Sequence, residues 1–258
     1  MKKINVVNRI LFKDFYQSVA RGIAMDNDWS DRHYKDTLAK AAVFSNFVYN
    51  GKPVGKHYVD EITTLMIEEF TDWLSREGNI RLKKGCSNGT VNRYNSSIIT
   101  ILKRAVKLKL TDNIPAISWK TESKGRLRFF TKDEQEQIFE FFRTDVTYSK
   151  YPWICDFFEV AFATGMRLGE IQKLDNGQAD IVTNEQGVDL IYISKTKNGD
   201  ERYIPIFDNV AEAARRIQKS NSFNHHNLYK GIRKLKKQIA PDDKHFTFHV
   251  TRHTCASE

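Results

Sequence analysis

Residues 91–108 constrain the fold more than any other stretch. Val91, Tyr94, Ile98, Ile101, Leu102, Ala105 and Leu108 recur at steps of three and four over more than four turns, while Arg93, Lys103, Arg104 and Lys107 fall on the other face. This spacing predicts an amphipathic helix capped by Thr90, with one side buried and the other cationic. Val59, Ile62, Leu65, Phe70, Trp73 and Leu74 form a second helical stripe, and Gly78 with Asn79 offers its stop. No convincing strand precedes about residue 180, so the first half is expected to be a bundle of helices.

Between Asn113 and Phe129 the periodicity fails. Pro115 and Gly125 interrupt the chain there, and Lys120, Lys124, Arg126 and Arg128 add positive charge. The expected organisation is a helical domain over 1–118, a linker over 119–128 and a second domain over 129–258. Helical signals resume at Thr131, which has capping-box spacing to Glu134, and continue through Ile138, Phe139, Phe141 and Phe142. Val188 to Ser194 and Glu201 to Ile206 read as strands around an Asn198-Gly199 turn, a hairpin with lysines near its tip. Val210 to Ile217 and Leu228 to Ile239 return to helical spacing, the latter with Lys230, Arg233, Lys234, Lys236 and Lys237 on its polar face. The fold class expected is mainly α with a small β-sheet.

Lys and Arg number 41 against 32 Asp and Glu, a net charge of +9. A polyanion is the partner this balance favours, although charge alone does not separate DNA, RNA and acidic protein. No apolar run approaches the roughly 20 residues that span a bilayer, and none resembles a signal peptide, so the expectation is a soluble intracellular protein with no membrane partner. Cys86, Cys155 and Cys255 stand far apart without metal or redox spacing and are expected to be reduced packing residues.

Three later segments belong together: Ala163-Thr-Gly-Met-Arg-Leu-Gly-Glu170, Lys195-Thr-Lys-Asn-Gly-Asp-Glu-Arg-Tyr-Ile-Pro205, and His249-Val-Thr-Arg252-His253. Each alone is weak: the first is a helix start, the second a charged turn, the third a histidine and arginine one turn apart. In this order they resemble the active site of the tyrosine recombinase (phage integrase) family. The resemblance makes Arg167 the first catalytic arginine, Lys195 the hairpin lysine, His249 the box histidine and Arg252 the second arginine. Lys197 is the alternative to Lys195, because counting back from Pro205 fits shorter family hairpins.

The residue types suit that chemistry on their own terms. Phosphoryl transfer gathers negative charge on nonbridging oxygens, and two guanidiniums grip such oxygens in pairs without a metal ion. A hairpin lysine can protonate the leaving oxygen, and a histidine can accept or orient a proton near neutral pH. Glu170, three residues after Arg167, is expected to orient that arginine or cap the helix. His245, His249 and His253 recur every four residues, which raises a metal site as the rival reading. No carboxylate or cysteine joins them at a recognised spacing, and His245-Phe-Thr-Phe lacks a helical pattern, so no metal and no cofactor are expected. His225-His226 reads as a solvated helix start.

The resemblance extends over nearly the whole chain. Thr90-Val-Asn-Arg-Tyr94 and the Asn113-Ile-Pro115 exit are similar to the family's SAM-like core-binding domain, and Arg126-Leu-Arg-Phe-Phe-Thr131 to the start of its α+β catalytic domain. It implies double-stranded DNA as partner, with Arg93, Lys103, Arg104, Lys107, Lys124 and Arg126 as DNA contacts. It also implies cleavage by a tyrosine to give a 3′-phosphotyrosine, a homotetramer on paired sites in complete members, accessory DNA-bending proteins and residence with the nucleoid in a prokaryotic or phage setting. The family places that tyrosine after the His-x-x-Arg box, whereas none of the ten tyrosines here follows Arg252, so an incomplete catalytic domain is expected. A non-catalytic DNA-binding regulator or decoy and a type IB topoisomerase are the alternatives.

Overall fold

Side-chain hydroxyls start three of the helices in the first half. After α1 (Phe12–Asp26), Ser30 Oγ accepts the His33 N–H at the head of α2 (Asp31–Asn46). Thr63 Oγ1 accepts the Met66 N–H ahead of α3 (Thr64–Arg76), and Ser87 Oγ accepts the Thr90 N–H ahead of α4 (Asn88–Lys107). The expected cap at Thr90 is therefore corrected to Ser87, which takes up the Thr90 N–H and adds Asn88 and Gly89 to the first turn. The stripe from Val59 to Leu74 also divides. Val59–Glu61 is a single 3₁₀ turn, Thr63 restarts the chain as α3, and Leu65 points outward, 52% exposed.

The computed structural model describes residues 9–78, 84–122, 128–194 and 199–257, and the chain divides into two units, 1–124 and 125–258. In the first, α4 packs on α1, α2 and α3 around Phe12, Phe15, Phe44, Phe70, Leu74 and Ile98. Two short strands, β1 (Val48–Tyr49) and β2 (Lys52–Pro53), flank Asn50 and Gly51, both at positive φ, a hairpin that the sequence reading passed over. Residues 120–122, within the expected linker, lie along α4: Asn92 donates to Lys120 O at 2.9 Å, accepts the Lys120 N–H at 3.0 Å and donates to Glu122 Oε1 at 2.8 Å.

In the second unit, Thr131 and Glu134 form the expected capping box at the head of α5 (Lys132–Thr144). The hub is α6 (Trp153–Thr164), whose Ile154, Phe157, Phe158, Val160 and Ala161 are fully buried among α5, α7 (Leu168–Asp175), α8 (Asp208–Ser220) and α10 (Val250–Cys255). α9 (His225–Ile239) packs on α5. An antiparallel sheet of order β3 (Asp180–Thr183), β4 (Asp189–Ile193), β5 (Arg202–Ile206) aligns Ile181, Ile191 and Ile204 across one face. β3 is an addition to the two expected strands. The architecture is mainly helical with small sheets. Among the described residues, no helix is long and apolar enough to cross a membrane.

Candidate active site

Gly165 ends α6 with φ at 61°, a left-handed turn that a residue with Cβ adopts reluctantly. The chain then runs through Met166 into Arg167, which sits at the N-cap of α7. Glu170 closes the turn in two ways. Its Oε2 accepts the Arg167 backbone N–H at 2.9 Å, and its Oε1 accepts from Arg167 Nη1 at 3.0 Å. Glu170 therefore both caps the helix and orients the guanidinium, the two roles its spacing suggested. The carboxylate is only 5% exposed, whereas the Arg167 side chain is 40% exposed and reaches solvent.

α10 carries the second group. Arg252 Nη1 donates to Gly165 O at 2.7 Å, across 87 residues of sequence, and fixes the second arginine beside the turn that presents the first. Closeness is possible because Gly165 has no Cβ: one placed there would lie 3.3 Å from Cys255 Sγ. Thr254 Oγ1, two residues past Arg252, accepts the Phe130 N–H at 2.9 Å and anchors α10 to the start of the unit.

His249 stands at the N-cap of α10, exposed and edge-on to His253, with ring centroids 5.4 Å apart. Partial desolvation, followed by the positive charges of His253, Arg252 and Arg167, holds its pKa below the ordinary histidine value. At neutral pH the ring is neutral and available to accept or orient a proton. Arg252 follows His249 by three residues on α10, and its bond to Gly165 O brings that helix to the turn that leads into Arg167. His245 precedes α10, its N–H bonded to Asp243 Oδ1 at 2.8 Å, so the three histidines do not share one helix.

The phage integrase family profile matches residues 128–258, and the phage integrase SAM-like domain profile matches residues 11–121. The chain belongs to the phage integrase family. Its fold is similar to the Tn1549 transposon integrase in complex with circular intermediate DNA, at 17% identity and a TM-score of 0.63 over 96% of this chain and 86% of that one. A lambda integrase tetramer bound to a Holliday junction gives 15% identity and a TM-score of 0.66 over 99% and 74%. XerH site-specific recombinase bound to difH substrate gives 17% and 0.59 over 95% and 72%. At these identities the likeness carries the fold. No curated protein sequence matches the chain.

The other residues singled out from the integrase sequence divide into three groups. Arg93 and Lys103 are exposed on α4, and Lys107 is exposed with its Nζ 3.9 Å from Asp26. Arg104 is half-buried, lies beside Gly22 and donates to Asp26 Oδ2 at 2.7 Å, so it stitches α4 to α1. Its position, one residue from Lys103 and three from Lys107, puts it on the seam between the buried and cationic faces. Lys124, Arg126, Lys195 and Lys197 lie outside the described residues. A residue the motif reading passed over is Arg202, whose Nη1 donates to Glu170 Oε2 at 3.4 Å. Its signal was available in the sequence: on β5 it shares the inward face of Ile204 and Ile206, where a charge needs a partner.

Proposed function

We propose that this integrase-family chain binds double-stranded DNA as a tyrosine-type site-specific recombinase, with its first domain (1–118) as the core-binding part, 119–128 as linker and 129–258 as the catalytic part. Arg167 and Arg252 hold the scissile phosphate and stabilise the charge that develops on its nonbridging oxygens. His249 accepts or orients the proton of the attacking hydroxyl. Lys195, or Lys197 in the other register, gives a proton to the departing 5′ oxygen as the P–O5′ bond breaks and a tyrosine–phosphate bond forms. The ten tyrosines of this sequence all precede Arg252, so the roles assigned to these residues are those of phosphate binding and proton handling.

The observation that carries this reading is the Arg252–Gly165 hydrogen bond at 2.7 Å, which holds Arg252, three residues after His249, beside the turn that presents Arg167. DNA contacts are assigned to Arg93, Lys103 and Lys107 on α4, to Lys124 and Arg126 of the linker, and to His226, Lys230, Arg233 and Lys237, which line one open groove along α9. The structurally similar integrases and XerH are seen on DNA, and lambda integrase as a tetramer on a Holliday junction. Assembly of this chain as a homotetramer on paired sites, with accessory DNA-bending proteins at the nucleoid, is part of the same proposal.

The test is to incubate the 258-residue chain, and any longer product of the same reading frame, with labelled supercoiled DNA carrying the candidate site. A metal-independent, 3′-linked protein–DNA adduct that disappears in Arg167→Lys while binding persists supports the recombinase. Binding by every form with no adduct from any of them favours a non-catalytic DNA-binding protein.

A further inference from the structure

Glu170 is a buried carboxylate with two guanidinium partners. Arg167 Nη1 reaches Oε1 at 3.0 Å, and Arg202 Nη1 reaches Oε2 at 3.4 Å, the oxygen that also accepts the Arg167 backbone N–H. Arg202 is the first residue of β5, paired across the sheet with Ile193, so it begins the strand that returns from the lysine-bearing turn. Its side chain is 35% exposed, close to that of Arg167.

We propose that Arg202 is a positioning residue of the phosphate site: it shares the Glu170 charge, so that Arg167 keeps its own charge available for phosphate. The proposal rests on the reading of Arg167, His249 and Arg252 as a phosphate site. An arginine alone against a buried carboxylate forms a closed ion pair whose net charge is zero, and such a pair attracts a phosphate weakly. A second guanidinium on the other oxygen leaves the trio with one net positive charge. It also divides the carboxylate's lone pairs, so Arg167 is held at its backbone N–H and one Nη while its remaining donors stay open. β5 is thereby tied to the N-terminus of α7 through one carboxylate.

The experiment uses the 258-residue chain and inorganic phosphate, with the His249 ring as reporter, its NMR signals assigned with His249→Asn. At constant ionic strength phosphate should shift the His249 signals saturably, since its negative charge draws the ring's pKa upward. Arg202→Gln should weaken the apparent phosphate affinity roughly tenfold, and Arg202→Lys, which keeps the charge, should recover most of it. The decisive comparison is made with Glu170→Gln as background, where the carboxylate charge to be shared is gone. There Arg202→Gln should change phosphate affinity by less than about twofold, because both substitutions act through the same carboxylate. This background also removes the unpaired buried charge and keeps the comparison usable if Arg202→Gln alone does not melt cooperatively. Equal phosphate binding by Arg202→Gln and the parent chain, or an equal loss in both backgrounds, overturns the role of Arg202 and leaves the phosphate site standing. A His249 ring that ignores phosphate in the parent chain removes the site itself, and this proposal with it.

Discussion

Gly165 combines a left-handed backbone with a close approach of α10, and both conditions serve Arg252. Alanine there must hold φ near 61° and place its Cβ 3.3 Å from Cys255 Sγ. Gly165→Ala should cost about 1–2 kcal/mol of stability in the second domain and loosen α10 from the turn. Thermal melting reads the first effect and the NMR response of His249 to phosphate the second; an unchanged melt would show that the turn tolerates a side chain. A second residue-scale device is Arg128, which donates to Glu134 Oε1 and to Asp243 Oδ2, at 2.5 and 2.9 Å, and covers the Phe130 ring. Burial works against ionisation of Glu134 and Asp243, but hydrogen bonds from Arg128 and backbone N–H groups prevail and hold both pKa values below the ordinary range. Their contribution is therefore complete at neutral pH and is lost as pH falls through the ordinary carboxylate range and below it. Arg128→Met should lower the melting temperature at pH 7, by roughly 2–3 kcal/mol of stability, and should flatten its decline between about pH 5 and about pH 3. A parallel decline in the two proteins would remove this trio as its source.

On α4 three surfaces of one helix separate by function. Val91, Ile98, Ile101, Leu102 and Ala105 are buried; Asn92 fastens residues 120–122; and Arg93 and Lys103 face solvent. Arg104 stands between these surfaces, ion-paired to Asp26 of α1. Neutralising Arg93 and Lys103 together should reduce the slope of log affinity for DNA against log salt by about 2, because each phosphate contact contributes about 0.9. Arg104→Gln should leave that slope unchanged and lower the melting temperature of the first domain instead. Binding titrations across salt concentrations, beside thermal melts, distinguish the two; a slope change from Arg104→Gln would return that residue to the DNA surface. At this scale the sequence reading erred where a feature depends on what lies across from it. Thr90 and Ser87 are both capping residue types, and it is the Ser87 hydroxyl that accepts the Thr90 N–H. The Asn50-Gly51 turn was readable by the same rule that proposed a turn at Asn198-Gly199, where Asn198 lies outside the described residues, but its two-residue strands are too short to show alternation.

Each unit buries its own apolar cluster, one around Phe12, Phe44 and Phe70, the other around Phe142, Phe158 and Phe248. Large-to-small changes in the two clusters should act separately. Phe44→Ala should destabilise only the first domain and Phe158→Ala only the second, each by about 3–5 kcal/mol, read as two independently shifted transitions in calorimetry. A single transition displaced by both variants would mean that the domains unfold as one. The sequence by itself determined the helical character of both halves, the hairpin, the capping box at Thr131 and the family, because periodicity, turn chemistry and ordered motifs are local properties that a chain carries wherever it folds. It also singled out Arg167, His249 and Arg252 as residue types suited to a phosphate. Only the tertiary structure decided that α6 is the hub, since a helix apolar on nearly every side has no stripe to read. It decided too that Arg104 pairs with Asp26 and that Arg202 joins Glu170, for the partner of a charge is set by which elements meet in space, and those contacts join residues 78 and 32 positions apart.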